Sequence, residues 1–505
     1  MKLADLIDVL EEKVVYGPPA KRVIVEAIAT DSRGVKQGEL FVALRGTKAD
    51  GHDYVSDAVR SGAAAVVTDL PMPEVSDAGV SNVVVKDTSK ALARLAARYH
   101  GDPADAMFLC GITGTNGKTS TAHMYRSIIE ASGWGCMGIV GTLGHGVGGE
   151  LEKTPHTTPD PRELHSRFRA MVDEGCNGVV MEVSSHAVRQ HRTWGLDFNV
   201  GILTNVTHDH LDYHKTIEDY QSAKKEFCDA LASAERRKPA GTLVYSSDDP
   251  VARRIGEQFS GEKLPVAVEG NGAAHDTSGV YATGVSATLE GTAFTLHFHD
   301  AGEIGVAMRL LGSFCAVNAA LAAAGARATG ISVDAIKAGL ESIDRIPGRF
   351  EAVGGNGKPV VIIDYSHTPD SMERVLSTCR SLGPGRLVTV FGCGGDRDKS
   401  KRPLMGKVAQ SLSDFVCITM DNPRTEPIDV ITDDILSGMD RNADNFEVNL
   451  DRGKAIHQAV GGADAGDVVA LLGKGVENCQ IVGNDRLPFS DRDEAEGALV
   501  KWLRR

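Results

Sequence analysis

Apolar residues recur along the chain in two alternating patterns. Short continuous apolar runs, which are typical of strands buried on both faces, are followed by longer segments with apolar residues every three or four positions, which are typical of helices. This alternation predicts the α/β fold class with mostly parallel strands. Because 505 residues exceed what one hydrophobic core usually supports, we expect three domains.

Residues 1–103 have the pattern of a small N-terminal α/β domain. An amphipathic helix with acidic residues is predicted at Met1–Glu12, which is unlike a secretory leader. The predicted strands are Val23–Ala29, Leu40–Leu44, Ala64–Thr68 and Val83–Val85, and a helix is predicted at Ser89–Tyr99. The loops Thr30–Arg33 and Arg45–His52 follow two of these strands. Such loops often bind ligands, but composition alone leaves plain turns equally open.

Residues 104–344 are predicted to form a central domain with a mostly parallel sheet, like that of P-loop ATPases. The predicted strands are Met107–Cys110, Met137–Val140, Gly178–Val183 and Val200–Val206, and the predicted helices are Lys118–Ala131, Pro161–Glu174 and Ala316–Ala328. The segment Leu243–Leu311 is β-rich with glycine turns, which predicts an antiparallel extension. Polar side chains follow the parallel strands, at the sheet edge where α/β proteins bind ligands.

Residues 345–505 repeat the alternation and are predicted to form a C-terminal Rossmann-like α/β domain. The predicted strands are Val360–Tyr365, Arg386–Phe391, Phe415–Met420 and Val468–Leu472, and the predicted helices are Pro369–Leu382, Lys401–Leu412 and Ile428–Met439. Polar clusters again follow the strands, at Asp364–Pro369, Gly392–Asp398, Asp421–Glu426 and Gly473–Glu477.

Composition narrows the function classes. A formal net charge of −14 argues against a general nucleic-acid or membrane surface, and we expect neither as a partner. The nine cysteines include no Cys-x-x-Cys pair, which favours reduced thiols over a disulfide framework or a zinc site. No apolar run reaches the roughly 18 residues that a membrane span requires. We therefore expect a cytoplasmic protein, and a monomer.

A glycine-rich loop, Gly114-Thr-Asn-Gly-Lys-Thr119, joins a predicted strand to a predicted helix. This arrangement directs backbone N–H groups and the positive end of a helix dipole at one point, which suits a phosphate. Lys118 is placed to neutralise phosphate charge, and the Thr119 hydroxyl to bind magnesium. The general phosphate-loop spacing fails because Ile112 replaces its first glycine. A glycine-rich loop without a nucleotide remains the alternative.

Titratable side chains are dense in the loop His208–His214, which follows a predicted strand. With Glu182 at the end of a neighbouring strand and Thr119 expected nearby, a metal site is favoured over a polar loop with one structural histidine. His210 is the preferred histidine ligand, while His208 and His214 are expected to orient neighbours. Lysines 224 and 225 lie on the following helix, where lysines are nearly always solvated.

Several motifs, in one order along the chain, resemble the Mur ligase family. They are Gly114–Thr119, His156–Thr158, Glu182–Ser185, Gln190–Arg192, His208–His214, Pro347–Glu351, Asp364–Pro369 and Asp421–Arg424. The resemblance implies an ATP- and magnesium-dependent amide ligase of peptidoglycan precursor synthesis. It also implies that Lys224, which follows Ala223, is carbamylated and becomes a metal ligand.

The resemblance assigns the remaining site residues by motif. The implied catalytic residues are Lys118, Lys224 and His210, and the implied metal ligands are Thr119, Glu182, His210 and carbamylated Lys224. The implied ATP contacts are Gly114, Thr115, Asn116, Gly117, Lys118, Thr119, Ser120, Asn318, Arg349 and Asp364. The implied contacts to the uridine nucleotide sugar are Thr30, Ser32, Thr47, Lys48 and Ala49, and those to its peptide end are His156, Thr157, Thr158, Ser184, Gln190 and Arg192.

The cluster Asp421-Asn-Pro-Arg424 bears on the amino acid that is added. It resembles the signature of the family members that add meso-diaminopimelate to UDP-N-acetylmuramoyl-L-Ala-D-Glu through an acyl phosphate. Diaminopimelate has a second carboxylate, and an arginine fork binds a carboxylate in a bidentate way. The implied contacts are Arg397, Asp421, Asn422, Pro423, Arg424, Gly473 and Glu477, and structural ion pairs are the alternative.

Three positions depart from the family pattern, and three other functions stay open. Val476 stands where histidine is usual, Cys315 replaces a common asparagine, and His156 does so too. These departures bear on affinity, not on the reaction class. The alternatives are an L-lysine-adding ligase, a ligase like folylpolyglutamate synthase, and a nucleotide-binding protein without ligase activity.

Overall fold

The computed structural model describes residues 1–46, 49–149, 151–154, 156–207, 209–233, 236–269 and 279–504, apart from the side chains of 211 and 212. The chain divides into two compact units. Unit one contains residues 1–266 and 324–330, and unit two contains residues 267–323 and 331–505.

Unit one begins with a small sheet covered by helices on both faces. Its elements are α1 (Leu3–Ile7), β1 (Lys13–Tyr16), β2 (Ile28–Ala29), β3 (Leu40–Val42), α2 (Val55–Arg60), β4 (Ala65–Thr68), α3 (Pro73–Asp77), β5 (Ser81–Val85) and α4 (Thr88–Tyr99). The strand order is β1-β5-β4-β3-β2, and only the β1–β5 pair is antiparallel. The predicted strand Val23–Ala29 is wrong over most of its length. Its first residues bond instead to the N-terminal segment, where Leu3 N donates to Val23 O at 2.9 Å.

A larger parallel sheet follows in the same unit. Its elements are β6 (Phe108–Thr113), α5 (Lys118–Ala131), β7 (Met137–Gly141), β8 (Gly144–Gly146), α6 (Pro161–Asp173), β9 (Gly178–Glu182), α7 (Ser185–Arg189), β10 (Val200–Leu203), α8 (Leu211–His214), α9 (Ile217–Ala230), β11 (Thr242–Ser246), α10 (Pro250–Gln258) and β12 (Lys263–Val268, from residue 267 in unit two). The strand order is β12-β11-β10-β6-β9-β7-β8, in which β8 alone is antiparallel to its neighbour. The carboxyl ends of β6, β7, β9 and β10 therefore lie at one edge.

The antiparallel extension predicted from residue 243 is wrong over its first part. Strands β11 and β12 are parallel and are joined by helix α10. That helix is stabilised at its start by Asp249 Oδ1, which accepts hydrogen bonds from Val251 N at 3.1 Å and Ala252 N at 2.8 Å. In unit two the prediction holds, since β13 (Val280–Thr288), β14 (Gly291–Phe298) and β15 (Gly302–Met308) pair antiparallel.

Unit two continues with a second doubly covered sheet. Its elements are α11 (Phe314–Arg327, from residue 324 in unit one), α12 (Val333–Glu341), β16 (Glu351–Gly354), β17 (Val360–Asp364), α13 (Pro369–Ser381), β18 (Leu387–Phe391), α14 (Lys401–Leu412), β19 (Phe415–Ile418), α15 (Ile428–Leu436), β20 (Phe446–Val448), α16 (Arg452–Gly461), β21 (Val468–Leu472), β22 (Cys479–Val482), β23 (Asp485–Pro488) and α17 (Asp491–Trp502). The order is β16-β17-β21-β18-β19-β20, with β16 antiparallel.

Alternate residues of β17 enter different hydrophobic cores. Ile362 packs with Met372 of α13, whereas Val361 and Ile363 pack with Ile456 of α16. Helices therefore cover both faces of the sheet, which explains why its strands are continuous apolar runs. In the described residues, no helix is long and apolar enough to cross a membrane.

A buried ion pair ties the last helix to the sheet of unit two. Arg452 Nε and Nη2 each lie 2.6 Å from a carboxylate oxygen of Asp491, and both side chains are fully buried. Arg452 Nη2 also donates to Leu472 O, at the end of β21, at 3.1 Å. Removing either partner of such a pair destabilises the protein, because the remaining charge is left buried and unpaired.

Replacing Asp491 with asparagine is expected to lower the free energy of unfolding of the protein by about 3 kcal/mol, because the Arg452 guanidinium loses its counter-charge inside the protein. Chemical denaturation followed by circular dichroism measures this loss. The control is Asp433→Asn in an exposed pair, where Asp433 Oδ1 lies 3.4 Å from Arg441 Nη2. We expect the control to cost less than about 1 kcal/mol. Equal losses in the two variants would contradict this account.

Candidate active site

The glycine loop between β6 and α5 wraps around a lysine. Gly114 and Gly117 have φ angles of 147° and 85°, which glycine tolerates best. A Cβ atom on Gly114 would lie 1.8 Å from Thr204 Oγ1, so the chain has no room for a side chain there. Lys118 Nζ donates to the carbonyl oxygens of Gly114 and Thr115 at 2.8 and 2.9 Å. The loop thus places the ammonium group next to the N-terminus of α5.

The segment after β10 braces this loop. Thr115 N donates to Asn205 O at 2.8 Å, Asn116 N donates to Asn205 Oδ1 at 2.9 Å, and Thr204 Oγ1 donates to Asn116 O at 2.6 Å. Two buried polar atoms, Asn116 Nδ2 and Thr207 Oγ1, have no hydrogen-bond partner within the described residues. Unsatisfied buried groups cost free energy, which an anionic ligand on the loop would recover. The residues therefore fit a phosphate.

The Glu182 carboxylate joins the ends of three elements. It is almost fully buried at the end of β9, and its Oε2 accepts a hydrogen bond from Thr119 Oγ1 at 3.0 Å. Thr142, which follows β7, donates to the same carboxylate from its N–H at 2.8 Å and from Oγ1 at 3.1 Å. Thr157 Oγ1 lies 3.1 Å from Thr142 Oγ1.

These oxygen ligands fit a hard divalent cation. A carboxylate and hydroxyls are groups that magnesium binds, usually together with substrate phosphates and water. Within the described residues, no group of three or more His, Cys, Asp or Glu side chains is arranged to hold a metal. A cation at Glu182 would therefore take most of its ligands from other groups.

Lys224 lies on α9 and is buried, contrary to what is usual for a helical lysine. Its Nζ lies 4.5 Å above the ring of Tyr220, whose hydroxyl is 2.9 Å from Thr115 Oγ1. Burial lowers the pKa of Lys224 well below its usual value, and the charge of Lys118 lowers it further, while Asp209 opposes the shift. The site thus favours a neutral amine, which is a nucleophile.

The histidine loop contributes in two different ways. His210 is exposed in a left-handed backbone conformation with φ of 54°, and its ring centre lies 4.8 Å from that of His186 and 6.1 Å from that of Tyr220. His214 is buried, with Nδ1 2.8 Å from Asp219 Oδ2 and Nε2 2.9 Å from Ser185 Oγ. His214 therefore orients α7, whereas His208 lies outside the described residues.

The residues assigned to the peptide end gather beside Glu182. Thr158 Oγ1 donates to Glu182 O at 2.8 Å and accepts from Ser184 N at 3.1 Å. Arg192 donates to Thr158 O at 2.7 Å and, through Nε and Nη2, to Gln190 Oε1 at 3.0 and 2.7 Å. Sequence motifs separated by more than 20 residues thus meet at one strand end.

The N-terminal candidates lie on two neighbouring loops. Thr30 directly follows β2, and Ala49 lies in the loop after β3, which is the parallel neighbour of β2. Ser32 is buried in the first of these loops. Thr47 and Lys48 lie outside the described residues.

A separate cluster in unit two follows β17. The Asp364 carboxylate accepts hydrogen bonds from Phe350 N and Ser366 N, each at 2.8 Å. The Arg349 guanidinium lies 5.6 Å from the centre of the Tyr365 ring. Asn318 is buried on α11. Asp364 and Arg349 thus belong to one neighbourhood.

The candidates after β19 and β21 form a polar cluster in unit two. Asn422 Nδ2 donates to Glu477 Oε2 at 2.7 Å, and Lys474 Nζ contacts Glu477 Oε2 at 2.9 Å and Asn422 Oδ1 at 3.1 Å. A Cβ atom on Gly473 would lie 2.7 Å from Asp421 Oδ2. Burial raises the pKa of the Asp421 carboxyl. The positive charges of Arg452 and Lys474 partly offset this rise.

Two arginines border Gly394 in this cluster. Arg424 Nη1 donates to Gly395 O at 2.8 Å, and its backbone is left-handed with φ of 54°. A Cβ atom on Gly394 would lie 2.9 Å from Arg424 Nη1 and 3.8 Å from Arg397 Cγ. Pro423 is buried beside them, and Arg397 is exposed. The Arg424 guanidinium and the side-chain stem of Arg397 therefore both lie close to Gly394.

Sequence reasoning missed two residues of these clusters. Thr142 directly follows β7, so its position at a strand end was the available signal. Lys474 lies inside the motif Gly473–Glu477 and is fully buried. No signal in the sequence indicated this burial, because a lysine in a polar loop is usually exposed to solvent.

The three departures from the family pattern occupy different surroundings. Val476 packs against Gly348, where a Cβ atom would lie 2.6 Å from Val476 N. Cys315 is buried in the first turn of α11, where its Sγ donates to Leu311 O at 3.2 Å. His156 is exposed overall, but partial desolvation of its ring and, after that, the charge of Arg192 lower its pKa.

Family models match the chain in three consecutive segments. Residues 24–100 match the Mur ligase family, catalytic domain; residues 112–326 match the Mur ligase middle domain; and residues 348–475 match the Mur ligase, glutamate ligase domain. The predicted three-domain α/β architecture is confirmed by these matches. The predicted boundaries after residues 103 and 344 stay predictions.

Known proteins match along the whole chain. UDP-N-acetylmuramoyl-L-alanyl-D-glutamate--2,6-diaminopimelate ligase of Bacillus cereus is 38% identical over 503 residues, which cover 100% of this chain and 99% of the relative. The ligase of the same name from Geobacter metallireducens is 39% identical over 520 residues, with 99% and 98% covered. A solved structure of a ligase with that name matches with a TM-score of 0.69 at 28% identity and covers 99% of both chains. This chain belongs to the Mur ligase family.

Proposed function

We propose that the protein is an ATP-dependent ligase that joins meso-diaminopimelate to the D-glutamate carboxylate of UDP-N-acetylmuramoyl-L-Ala-D-Glu, with release of ADP and phosphate. The observation that carries this proposal is the contact between Thr119 at the glycine loop and the buried Glu182, with Lys118 held beside them. This is an arrangement for phosphoryl transfer, in which positioning and charge stabilisation do most of the work.

The glycine loop binds the ATP phosphates in this proposal. Backbone N–H groups at Gly117–Ser120 and the ammonium of Lys118 face the negative charge, and Asn116 Nδ2 gains the partner it lacks. Asn318, Arg349 and Asp364 are proposed to contact the rest of the nucleotide.

Magnesium bound at Thr119 and Glu182 would supply charge neutralisation between phosphate oxygens. The Glu182 carboxylate and the Thr119 hydroxyl would supply oxygen ligands to this ion. His210 is proposed to add a nitrogen ligand. The neutral Lys224 amine can attack carbon dioxide to give a carbamate and release a proton. The resulting anion provides a further oxygen ligand on a residue whose pKa burial has already lowered.

The nucleotide-sugar substrate extends from the N-terminal loops to the strand ends of the larger sheet. Thr30, Ser32, Thr47, Lys48 and Ala49 are proposed to hold its uridine end. His156, Thr157, Thr158, Ser184, Gln190 and Arg192 are proposed to hold its peptide end. The contact of Thr158 with Glu182 supports the second assignment, because a peptide end bound at Thr158 would lie near the phosphate loop.

The reaction needs no nucleophile from the protein. The D-glutamate carboxylate oxygen attacks the γ-phosphorus of ATP, the bond to the bridging oxygen breaks, and ADP leaves with that electron pair. The amine of diaminopimelate then attacks the acyl phosphate carbon, its nitrogen gives up a proton, and phosphate leaves from the tetrahedral intermediate. Lys118 stays hydrogen-bonded to the loop and stabilises charge during the first step.

The amino-acid site is proposed at the cluster in unit two. Arg424 and Arg397 bind the distal carboxylate of diaminopimelate, and Asp421, Asn422, Pro423, Gly473 and Glu477 surround its ammonium end. The approach of both arginines to Gly394 supports this assignment. We further propose a cytoplasmic monomer that acts in peptidoglycan precursor synthesis.

Phosphate release by the purified protein tests the proposed function directly. With ATP, magnesium and UDP-N-acetylmuramoyl-dipeptide, we expect release with meso-diaminopimelate and a tripeptide product by mass spectrometry. Release with L-lysine alone would overturn the amino-acid assignment but keep the ligase. ATP binding without release in the presence of either amino acid or of a folate substrate would favour a non-catalytic nucleotide-binding protein.

Gly114→Ala is expected to weaken ADP binding by more than about 100-fold, since a methyl group would force the loop away from Thr204 and strain a left-handed φ. Calorimetric titration measures the affinity, and circular dichroism checks the fold. The matched control is Gly149→Ala, where a Cβ atom meets nothing within 4 Å. Similar affinities in the two variants would contradict the role of the loop.

Lys224→Ala is expected to lower kcat by at least about 100-fold because the buried amine that accepts carbon dioxide is lost. Added acetate should restore part of this activity, because a small carboxylate can occupy the space and charge of the carbamate. Lys225→Ala is the control, since Lys225 is half-exposed and pairs with Asp229 at 2.6 Å. Failure of bicarbonate to activate carbonate-depleted wild-type protein would count against carbamylation.

Arg424→Ala is expected to raise the KM for diaminopimelate by about 30-fold or more while leaving the KM for ATP unchanged, because one charged contact to the distal carboxylate disappears. Steady-state kinetics with each substrate varied measures the two constants. Arg441→Ala, at an exposed arginine after α15, is the control. An equal rise in both KM values would indicate a general disturbance of unit two.

A further inference from the structure

Two cysteine side chains meet at the end of the larger sheet opposite the glycine loop. Cys136 precedes β7, Cys176 precedes β9, and their Sγ atoms lie 2.8 Å apart. The two cysteines are 40 residues apart in the sequence, so no local motif indicated that they meet. The proposed reaction uses neither thiol.

The backbone on both sides of the pair is held in place. Asn177 N donates to Cys136 O at 2.9 Å, and Cys136 N donates to Asn177 Oδ1 at 3.2 Å. Cys176 N donates to Met171 O at 2.9 Å, at the end of α6. Directly beyond them β7 and β9 pair in parallel, beginning with Met137 opposite Gly178. The two sulfur atoms are therefore brought together by the sheet itself.

The two thiols differ in exposure. Cys136 is half-exposed, whereas Cys176 is buried. Burial and the neighbouring Cys136 sulfur raise the pKa of the Cys176 thiol. An oxidant from solution therefore reaches Cys136 first, and Cys176 stands within contact distance as the second thiol.

We propose that Cys136 and Cys176 are a redox modification site, which hydroperoxides convert reversibly into an intrachain disulfide. The Cys136 thiolate attacks a peroxide oxygen, the O–O bond breaks, and a sulfenic acid and one hydroxide form. The Cys176 sulfur then attacks the sulfenic sulfur, the S–O bond breaks, and the oxygen leaves as water. Two thiols lose two protons and two electrons overall, and hydrogen peroxide takes up both and is reduced to two waters. A cytoplasmic dithiol returns the pair to thiols.

The disulfide acts as a clamp on the sheet. It joins the chain just before the amino ends of β7 and β9, while Thr142 and Glu182 lie at the carboxyl ends of the same strands, about 20 Å away at the rise of a β-strand. The covalent link closes a long loop of chain that includes α6. Closing this loop lowers the conformational entropy of the unfolded chain. We therefore expect a more stable protein with its catalytic rate unchanged.

Mass mapping of the full-length protein after treatment with hydrogen peroxide tests the site. We expect a non-reduced digest to contain one cross-linked pair of peptides bearing Cys136 and Cys176, about 2 Da lighter than the sum of the two, and to lose it after dithiothreitol. The melting temperature should rise by about 5 °C on oxidation and return on reduction. Neither change should occur in Cys136→Ser or in Cys176→Ala.

Cys479→Ser is the matched control, because Cys479 is the other half-exposed cysteine. It should cross-link as the wild type does. A sulfenic or sulfinic acid on Cys136 without the cross-link would overturn the proposal, as would a cross-link that involves any other cysteine. Unchanged thiols under peroxide that oxidises a small-molecule dithiol to completion would also overturn it.

Discussion

The buried Glu182 carboxylate is the interaction on which the geometry of the larger sheet's carboxyl edge depends. It holds Thr119 of α5 and Thr142 after β7 at hydrogen-bond distance, and its own carbonyl anchors Thr158. A carboxylate without water must be satisfied by nearby donors. The requirement to satisfy one charge thus draws three loops to the same strand end, and the proposed phosphate and peptide sites become neighbours.

Two buried lysines show how surroundings decide the chemistry of one residue type. Lys474 forms an ion pair with Glu477 at 2.9 Å and donates to Cys479 O at 2.8 Å, so that its positive charge is used in holding a loop together. Lys224 lies over the Tyr220 ring and near the charge of Lys118, and its pKa falls. The first lysine is suited to structure, and the second is suited to react as an amine.

Regular elements were predictable from the sequence where local pattern and tertiary packing agree. The helix Lys118–Ala131 and the strand Val468–Leu472 begin and end where the pattern places them. The strand predicted at Val200–Val206 stops at Leu203, because Thr204 and Asn205 turn aside to bond the glycine loop. Such a turn depends on a partner some 90 residues away, which no local pattern contains.

The sequence by itself determined the α/β alternation, the glycine loop and the resemblance to a family, because these depend on the order of residue types along the chain. It also named Glu182 and Arg424 through their motifs. Only the tertiary structure decided that Thr142 joins Glu182, that Lys474 is buried against Glu477, and that Cys136 meets Cys176. These contacts arise from strand order and register, which bring distant segments together. A local run of residues determines neither the strand order nor the register.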